Sequence, residues 1–247
     1  MMSNKKSAAD FVAAATIADI FHAAKQLDGV AVKTKLIESP YFSSLSGGTV
    51  YLKPENLQNT GSFKLRGAYN KISQLSAAER KRGVITASAG NHAQGVAFSA
   101  QKLGVKAVIS MPATTPILKV EATRAYGAEV VLYGDTFDDA YAKSLELQKE
   151  KGFVYIHPFN DREVLLGQGT VAKEIIDDCP DIDAILVPIG GGGLASGVAM
   201  ATKLVNPHVR VIGVEPAGAA SMATAFSAGA VTTLPAVDTV ADGCAVK

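Results

Sequence analysis

Apolar residues recur along this chain at two spacings, every second residue and every third to fourth, and the two alternate. Near the N-terminus Phe11, Ala15, Ala18 and His22 share one helical face, which predicts an amphipathic helix over Ala8–Leu27. Lys5 and Lys6 ahead of it resemble the start of a secretory leader, but Asp10 and Asp19 interrupt the apolar run. Leu36–Pro40 reads as a loop and Thr49–Lys53 as a strand. From there the pattern predicts strand Gly83–Ala87, helix His92–Leu103, strand Val105–Met111, helix Ile117–Tyr126 and strand Glu129–Tyr133. Thr136 is placed to cap a helix reaching Lys151, with Asp138 and Asp139 in its first turn, and Phe153–His157 closes this part.

The second half uses the same grammar without repeating the sequence. Helix Asp161–Asp178, strand Ala184–Ile189, helix Leu194–Val205, strand Val209–Glu215 and helix Ala219–Ser227 follow in order. Strands alternating with helices predict an α/β fold, parallel sheet joined by crossover helices. The alternation alone allows one continuous sheet or two lobes that cross over between Phe153 and Asp161. Residues after Val231 offer no helix or strand to close a sheet, so the tail is expected either to be covered by a partner or to end a fragment.

Composition narrows the function. The 247 residues are 48% hydrophobic and 19% charged, enough to bury a sizeable core. Lys and Arg (24) balance Asp and Glu (23), so no charge excess points to nucleic acid or an anionic membrane. No stretch approaches the roughly 20 apolar residues that span a bilayer. Cys179 and Cys244 have neither metal nor redox spacing. The expectation is a cytoplasmic protein in a reducing compartment that acts on a small molecule.

Three stretches carry chemistry. In Asn56–Gly67, Lys64 stands in the first turn of a helix for which Ser62 is the expected N-cap, with Phe63, Leu65, Ala68, Tyr69 and Ile72 at helical spacing. The partial positive charge at a helix start disfavours an ammonium and favours the neutral amine, which suits a nucleophile. A solvated surface lysine is the alternative from this stretch alone. The second stretch, Ala87-Ser88-Ala89-Gly90-Asn91-His92, links a strand to a helix with small residues, so its amides can grip a carboxylate or phosphate, or it is an ordinary turn. The third, Gly190-Gly191-Gly192-Gly193-Leu194, follows an apolar strand; four glycines are more than a turn needs, and an amide nest for phosphate accounts for them. Gly190, Gly192 and Ala195 also meet a dinucleotide spacing, with Glu215 ending the next strand as the acid for a ribose, although that reading leaves Lys64 unused.

Together, Thr-Gly-Ser-Phe-Lys-Leu-Arg-Gly-Ala around Lys64, Ser-Ala-Gly-Asn-His-Ala-Gln-Gly from Ser88, and the Gly-Gly-Gly-Gly-Leu loop resemble the threonine dehydratases, pyridoxal-phosphate enzymes of the tryptophan synthase β-like fold. Val214-Glu215-Pro216 and Ala241-Asp242-Gly243-Cys244 also look like family segments, and the resemblance runs from about Ala31 to the end. It implies two lobes, each a mainly parallel sheet flanked by helices: a smaller one over 57–159 and a larger one, incomplete at its C-terminal part, from 1–56 and 160–247. It implies that Lys64 is the catalytic residue and holds pyridoxal 5′-phosphate through an imine. Phe63 would pack on the cofactor ring, Asn91 would bond the ring hydroxyl, and Gly190, Gly191, Gly192, Gly193 and Leu194 would bind the phosphate. Ser88, Ala89, Gly90, Asn91 and His92 would hold the substrate carboxylate, with Gly167 of the Gly167-Gln168-Gly169-Thr170 turn beside the substrate. These are the grips that an amino acid joined to this cofactor requires.

The implied reaction is dehydration and deamination of L-threonine or L-serine to a 2-oxo acid and ammonia, in amino-acid metabolism that includes isoleucine biosynthesis, by a homo-oligomer, dimer or tetramer. Serine racemases share the fold; they place a serine where this chain has Ala89, and without an acid there two-sided proton transfer at Cα is hard to run. Some relatives bind a divalent cation at positions matching Glu215, Ala219 and an acid at Ser221, and the serine present here leaves no metal expected. Family members continue past the position of Lys247, so a truncated, inactive fragment is the reading of a different class.

Overall fold

The computed structural model describes residues 14–247. The expected first helix is helical over α1 (Ile17–Gln26), and Lys5, Lys6, Ala8, Asp10 and Phe11 lie outside the described residues. Packing divides the chain into two compact units, His22–Pro158 and the described residues up to Phe21 together with Phe159–Lys247. Residues 22–56 therefore group with the elements of the expected smaller lobe.

In the unit His22–Pro158, the segment expected as a loop before residue 41 holds β1 (Ile37–Glu38), antiparallel to β2 (Tyr51–Leu52) with Ile37 opposite Leu52. Between them lies a helix the periodicity does not show, α2 (Pro40–Ser46), started by the Ser39 cap and Pro40 and stopped by Gly47 in the left-handed region. Pieces this short carry too few residues for a period to register.

The helix that begins with the candidate lysine is α3 (Lys64–Ser73). Ser62 is not its N-cap: Phe63 holds that place in a helical conformation, and the Ser62 Oγ accepts from the Lys64 N–H at 3.4 Å. α4 (Ala77–Arg82) opens on a complete capping box, in which Ser76 and Glu79 each bond the other's backbone N–H. Then come β3 (Val84–Ala87), α5 (Asn91–Leu103), β4 (Ala107–Met111), α6 (Ile117–Arg124), β5 (Glu129–Leu132), α7 (Phe137–Lys151) and β6 (Val154–Tyr155). Thr136 caps α7 in a box with Asp139.

The four strands β3 to β6 form one parallel sheet in the order β5-β4-β3-β6. The mainly apolar β3 and β4, each with one small polar residue (Thr86 and Ser110), are central and fully buried, as parallel strands covered on both faces must be. Val84, Ala107, Ile109 and Met111 pack with Ala68 and Ile72 of α3 and Ala93, Val96, Ala97 and Ala100 of α5. Tyr155, in register with Ile85, meets the Ser144 hydroxyl of α7 at 3.2 Å, so α7 covers the other face.

α3 and α5 approach so closely at Gly95 that a Cβ there would lie 3.0 Å from the backbone of Lys64 and Leu65. α3 is also pinned from behind. Arg66, wholly buried, makes a two-point contact with Glu55, Nε to Oε2 at 2.8 Å and Nη2 to Oε1 at 2.9 Å. Glu55 accepts from the Thr34 hydroxyl at 2.7 Å, and the Val32 carbonyl accepts from Arg66 at 3.3 Å.

The second unit contains α8 (Arg162–Asp178), β7 (Ala184–Pro188), α9 (Gly193–Val205), β8 (Arg210–Val214) and α10 (Ser221–Ala228). Strands β7 and β8 pair in parallel from Ala184 opposite Arg210 to Pro188 opposite Val214. Asp161 caps α8, accepting from Glu163 at 2.9 Å and Val164 at 3.2 Å. α8 and α9 meet backbone to backbone at Gly197, where a Cβ would collide with the Leu165 carbonyl. After α10 the described chain holds only a short 3₁₀ turn, Asp242–Cys244.

Glu55→Ala would leave the Arg66 cation buried without its carboxylate. The expected loss is about 3–5 kcal/mol of stability, measured as a lower urea midpoint.

Candidate active site

Strands β3, β4 and β5 step outward to one side of the sheet, and β6 returns to the other side of β3. The order therefore reverses between β3 and β6, and in open parallel sheets the carboxyl ends of strands beside such a reversal are where ligands bind. One of the sequence-predicted groups is found there. The Ser88–His92 loop leaves β3 and runs into α5, and the segment Ile156–Pro158, which the sequence did not single out, leaves β6.

Lys64, half-buried as the first residue of α3, reaches this point. Its Nζ donates to the Pro158 carbonyl at 2.9 Å and lies 5.5 Å from the centroid of its neighbour Phe63. Among the described residues no carboxylate pairs with it. Burial pushes its pKa down to about 8, so roughly a tenth of the amine is neutral at pH 7, far more than for an ordinary lysine. The sequence ascribes that tendency to the helix dipole; in the fold, desolvation is the cause.

The Ser88–His92 loop is built from backbone. The Ser88 N–H donates to Ser110 of β4 at 3.1 Å and the Gly90 N–H to the Ser88 Oγ at 3.2 Å. The N–H groups of Ala89, Asn91, His92 and Ala93 have no partner among the described residues, and α5 lacks a side-chain cap. Uncapped amides at the start of a helix favour an anion. Asn91 is exposed at the first position of α5, and His92 is 3% exposed with its Nε2 2.9 Å from the Ile156 carbonyl. Burial, and then the nearby charge of Lys64, push the His92 imidazole down to about 3, so it is neutral. Phe63, Lys64 and the Ser88–His92 loop are thus gathered in one unit.

The glycine loop belongs to the other unit. The consecutive backbone N–H groups from Gly190 to Ala195 have no partner among the described residues; Ser196 is the first to donate, to the Gly192 carbonyl at 2.8 Å. Gly192 and Gly193 are buried, and Gly192 adopts φ of 83°, in the left-handed region. A Cβ at Gly190 would strike the Gly243 carbonyl, and one at Gly191 the Phe159 ring. At Gly193 it would lie 2.8 Å from the Phe159 Cβ. A run of unpaired amides at the start of a thirteen-residue helix fits a phosphate group, and the nucleophilic amine of Lys64 fits the aldehyde of pyridoxal phosphate. Leu194, half-buried, follows in the first turn of α9.

Two expectations change. Gly167-Gln168-Gly169-Thr170 is not a turn but the buried middle of α8, because Leu165, Leu166, Val171 and Ala172 on either side carry the helix through it. Glu215 is not an acid awaiting a ribose: its two carboxylate oxygens accept from the N–H groups of Met222 and Ala223 at 2.8 Å each and so hold the start of α10. The dinucleotide reading loses its acidic partner. Sequence reasoning also missed the Pro158 carbonyl, the Arg66–Glu55 pair and the Phe159 ring. A backbone acceptor has no sequence signature, and only Arg66, inside the lysine motif, offered a signal.

Because burial lowers the Lys64 pKa below its unfolded value of 10.5, the cost of holding the cation is complete below about 8 and is relieved as pH rises toward 10.5. Lys64→Met is expected to stabilise the fold at neutral pH by roughly 1–3 kcal/mol in urea titrations, an advantage that shrinks across that alkaline range.

The family model described as pyridoxal-phosphate dependent enzyme matches residues 27–247. An L-threonine ammonia-lyase of Thermotoga maritima is 51% identical over 232 residues, covering 94% of this chain and 58% of the relative. The chain thus spans little more than half the length of that relative. Among solved structures, the processed form of threonine deaminase isoform 2 from Solanum lycopersicum is 45% identical with a TM-score of 0.90, covering 100% of this chain and 68% of that one. Maize serine racemase is 39% identical with a TM-score of 0.91, covering 94% and 71%. In sequence and in its α/β, tryptophan synthase β-like fold, the chain belongs to the family of pyridoxal-phosphate dependent enzymes and resembles the threonine ammonia-lyases within it.

Proposed function

We propose that this chain is the catalytic part of a threonine ammonia-lyase, which dehydrates and deaminates L-threonine, and L-serine, to 2-oxobutanoate or pyruvate and ammonia. The observation that carries the reading is Lys64, a dry amine with a depressed pKa and a carbonyl rather than a carboxylate as its partner. Bound pyridoxal 5′-phosphate supplies the electron sink that weakens the Cα–H bond of an attached amino acid. Lys64 would hold the cofactor covalently, Phe63 would back its ring, Asn91 would meet the ring hydroxyl, and the amides of Gly190 to Leu194 would take the phosphate.

The remaining work falls to this chain's own groups. Amides of Ser88, Ala89, Gly90, Asn91 and His92 orient the substrate carboxylate. The Lys64 Nζ, neutral once free, takes the proton from Cα.

The names of the relatives support the lyase reading, and maize serine racemase matches the fold equally well. Ala89 favours the lyase, because by the family resemblance it would put a methyl group where a racemase needs a side chain that returns a proton to the opposite face of Cα. The enzyme we propose is a cytoplasmic homo-oligomer that serves threonine breakdown or isoleucine biosynthesis.

Borohydride reduction in the presence of the cofactor is expected to leave a covalent adduct on the Lys64 peptide, seen by mass spectrometry, and Lys64→Ala to abolish ammonia release from L-threonine. Absence of the adduct, or normal turnover in Lys64→Ala, would overturn the proposal.

A further inference from the structure

The acceptor that holds the Lys64 amine is a backbone carbonyl, and it lies just past the end of the sheet. Val154 N–H donates to Gly83 and Ile156 N–H to Ile85, each at 2.9 Å, and the second is the last rung of the β3–β6 ladder among the described residues. Pro158 has no N–H with which to extend it. The position of its carbonyl therefore depends on whatever else restrains residues 156–158.

One restraint comes from a side chain. The Ile156 carbonyl lies 2.9 Å from the His92 Nε2, and since a carbonyl only accepts, Nε2 carries the hydrogen and Nδ1 the lone pair. His92 is 3% exposed, and its Nδ1 is buried without a partner among the described residues, so the ring is committed to this single bond. It is also correctly placed. Gly95, three residues further along α5, is the point of closest approach to the backbone of Lys64. The charged or titratable groups that act on the ring are Lys64 and His157.

We propose that His92 is a positioning residue for Lys64: its Nε2–H fixes the Ile156 carbonyl and, through the two residues that follow, the Pro158 carbonyl that holds the lysine amine. Its place in the reaction rests on the reading of Lys64 as the reacting amine. Without the imidazole, the 156–158 segment loosens, the amine loses its acceptor, and water reaches it.

The test is competitive labelling of the whole chain with acetic anhydride from neutral to alkaline pH, following the Lys64 peptide by mass spectrometry, since only the neutral amine reacts. In the parent protein the midpoint is expected at about 8. In His92→Leu and His92→Asn, neither of which can donate from the Nε2 position, it is expected to rise toward 10.5. A rise of one unit cuts labelling at the parent midpoint about fivefold. His92→Gln, whose amide reaches that position, is expected to restore the parent profile.

A parent-like midpoint in folded His92→Leu overturns the proposal, as does identical behaviour of His92→Asn and His92→Gln, which keeps the test decisive where the leucine variant fails to fold. Labelling needs no cofactor. Shifted midpoints without a borohydride adduct in the parent would overturn the cofactor reading alone, and an adduct with unmoved midpoints would overturn the positioning role alone.

Discussion

The structure of the unit His22–Pro158 turns on keeping one amine dry. Lys64 stands at the first residue of a helix, half-buried, against a carbonyl and an aromatic ring. An ammonium in that setting is partly stripped of water and, among the described residues, has no counter-charge, so the balance shifts toward the neutral base. Such an arrangement costs stability, and the surroundings offset it by rigidity. Arg66, two residues on, is locked to Glu55, while Gly95 lets α5 close directly on the lysine backbone.

Charge of the opposite sign is provided for elsewhere. The start of α5 and the start of α9 both present amides unpaired among the described residues, with no capping side chain on either helix. Four other helices, α2, α4, α7 and α8, have Ser, Thr or Asp caps. The difference is chemically consistent: a cap satisfies the amides that an anion would otherwise bind. An amino acid joined to a phosphate-bearing cofactor presents two such anions, a carboxylate and a phosphate.

Most of the fold was legible because its strands and helices are long enough for their periods to show. The strands β3, β4, β7 and β8 and the capped helices α7 and α8 fall where the apolar pattern and the residues Thr136 and Asp161 place them. Short elements escaped. β1 and β2 are two residues each, and α2 is defined by Ser39, Pro40 and Gly47 more than by any apolar face. Gly167 to Thr170 misleads in the other direction, since two glycines suggest a turn while packing against α9 needs the small size of Gly169 inside a helix.

The sequence by itself determined the residue types of the site: a lysine at a helix start, a small-residue loop after β3 and four glycines after β7. Those follow from local chemistry, because loops and helix starts are built from neighbours in the chain. The tertiary structure decided what each group is bonded to. Ser62 does not cap α3, Glu215 holds the start of α10, and the partner of Lys64 is a carbonyl 94 residues away along the chain. It also decided why the amine gives up its proton more readily than an ordinary lysine, since desolvation depends on what the whole unit packs around a side chain, and the sequence shows only what stands beside it.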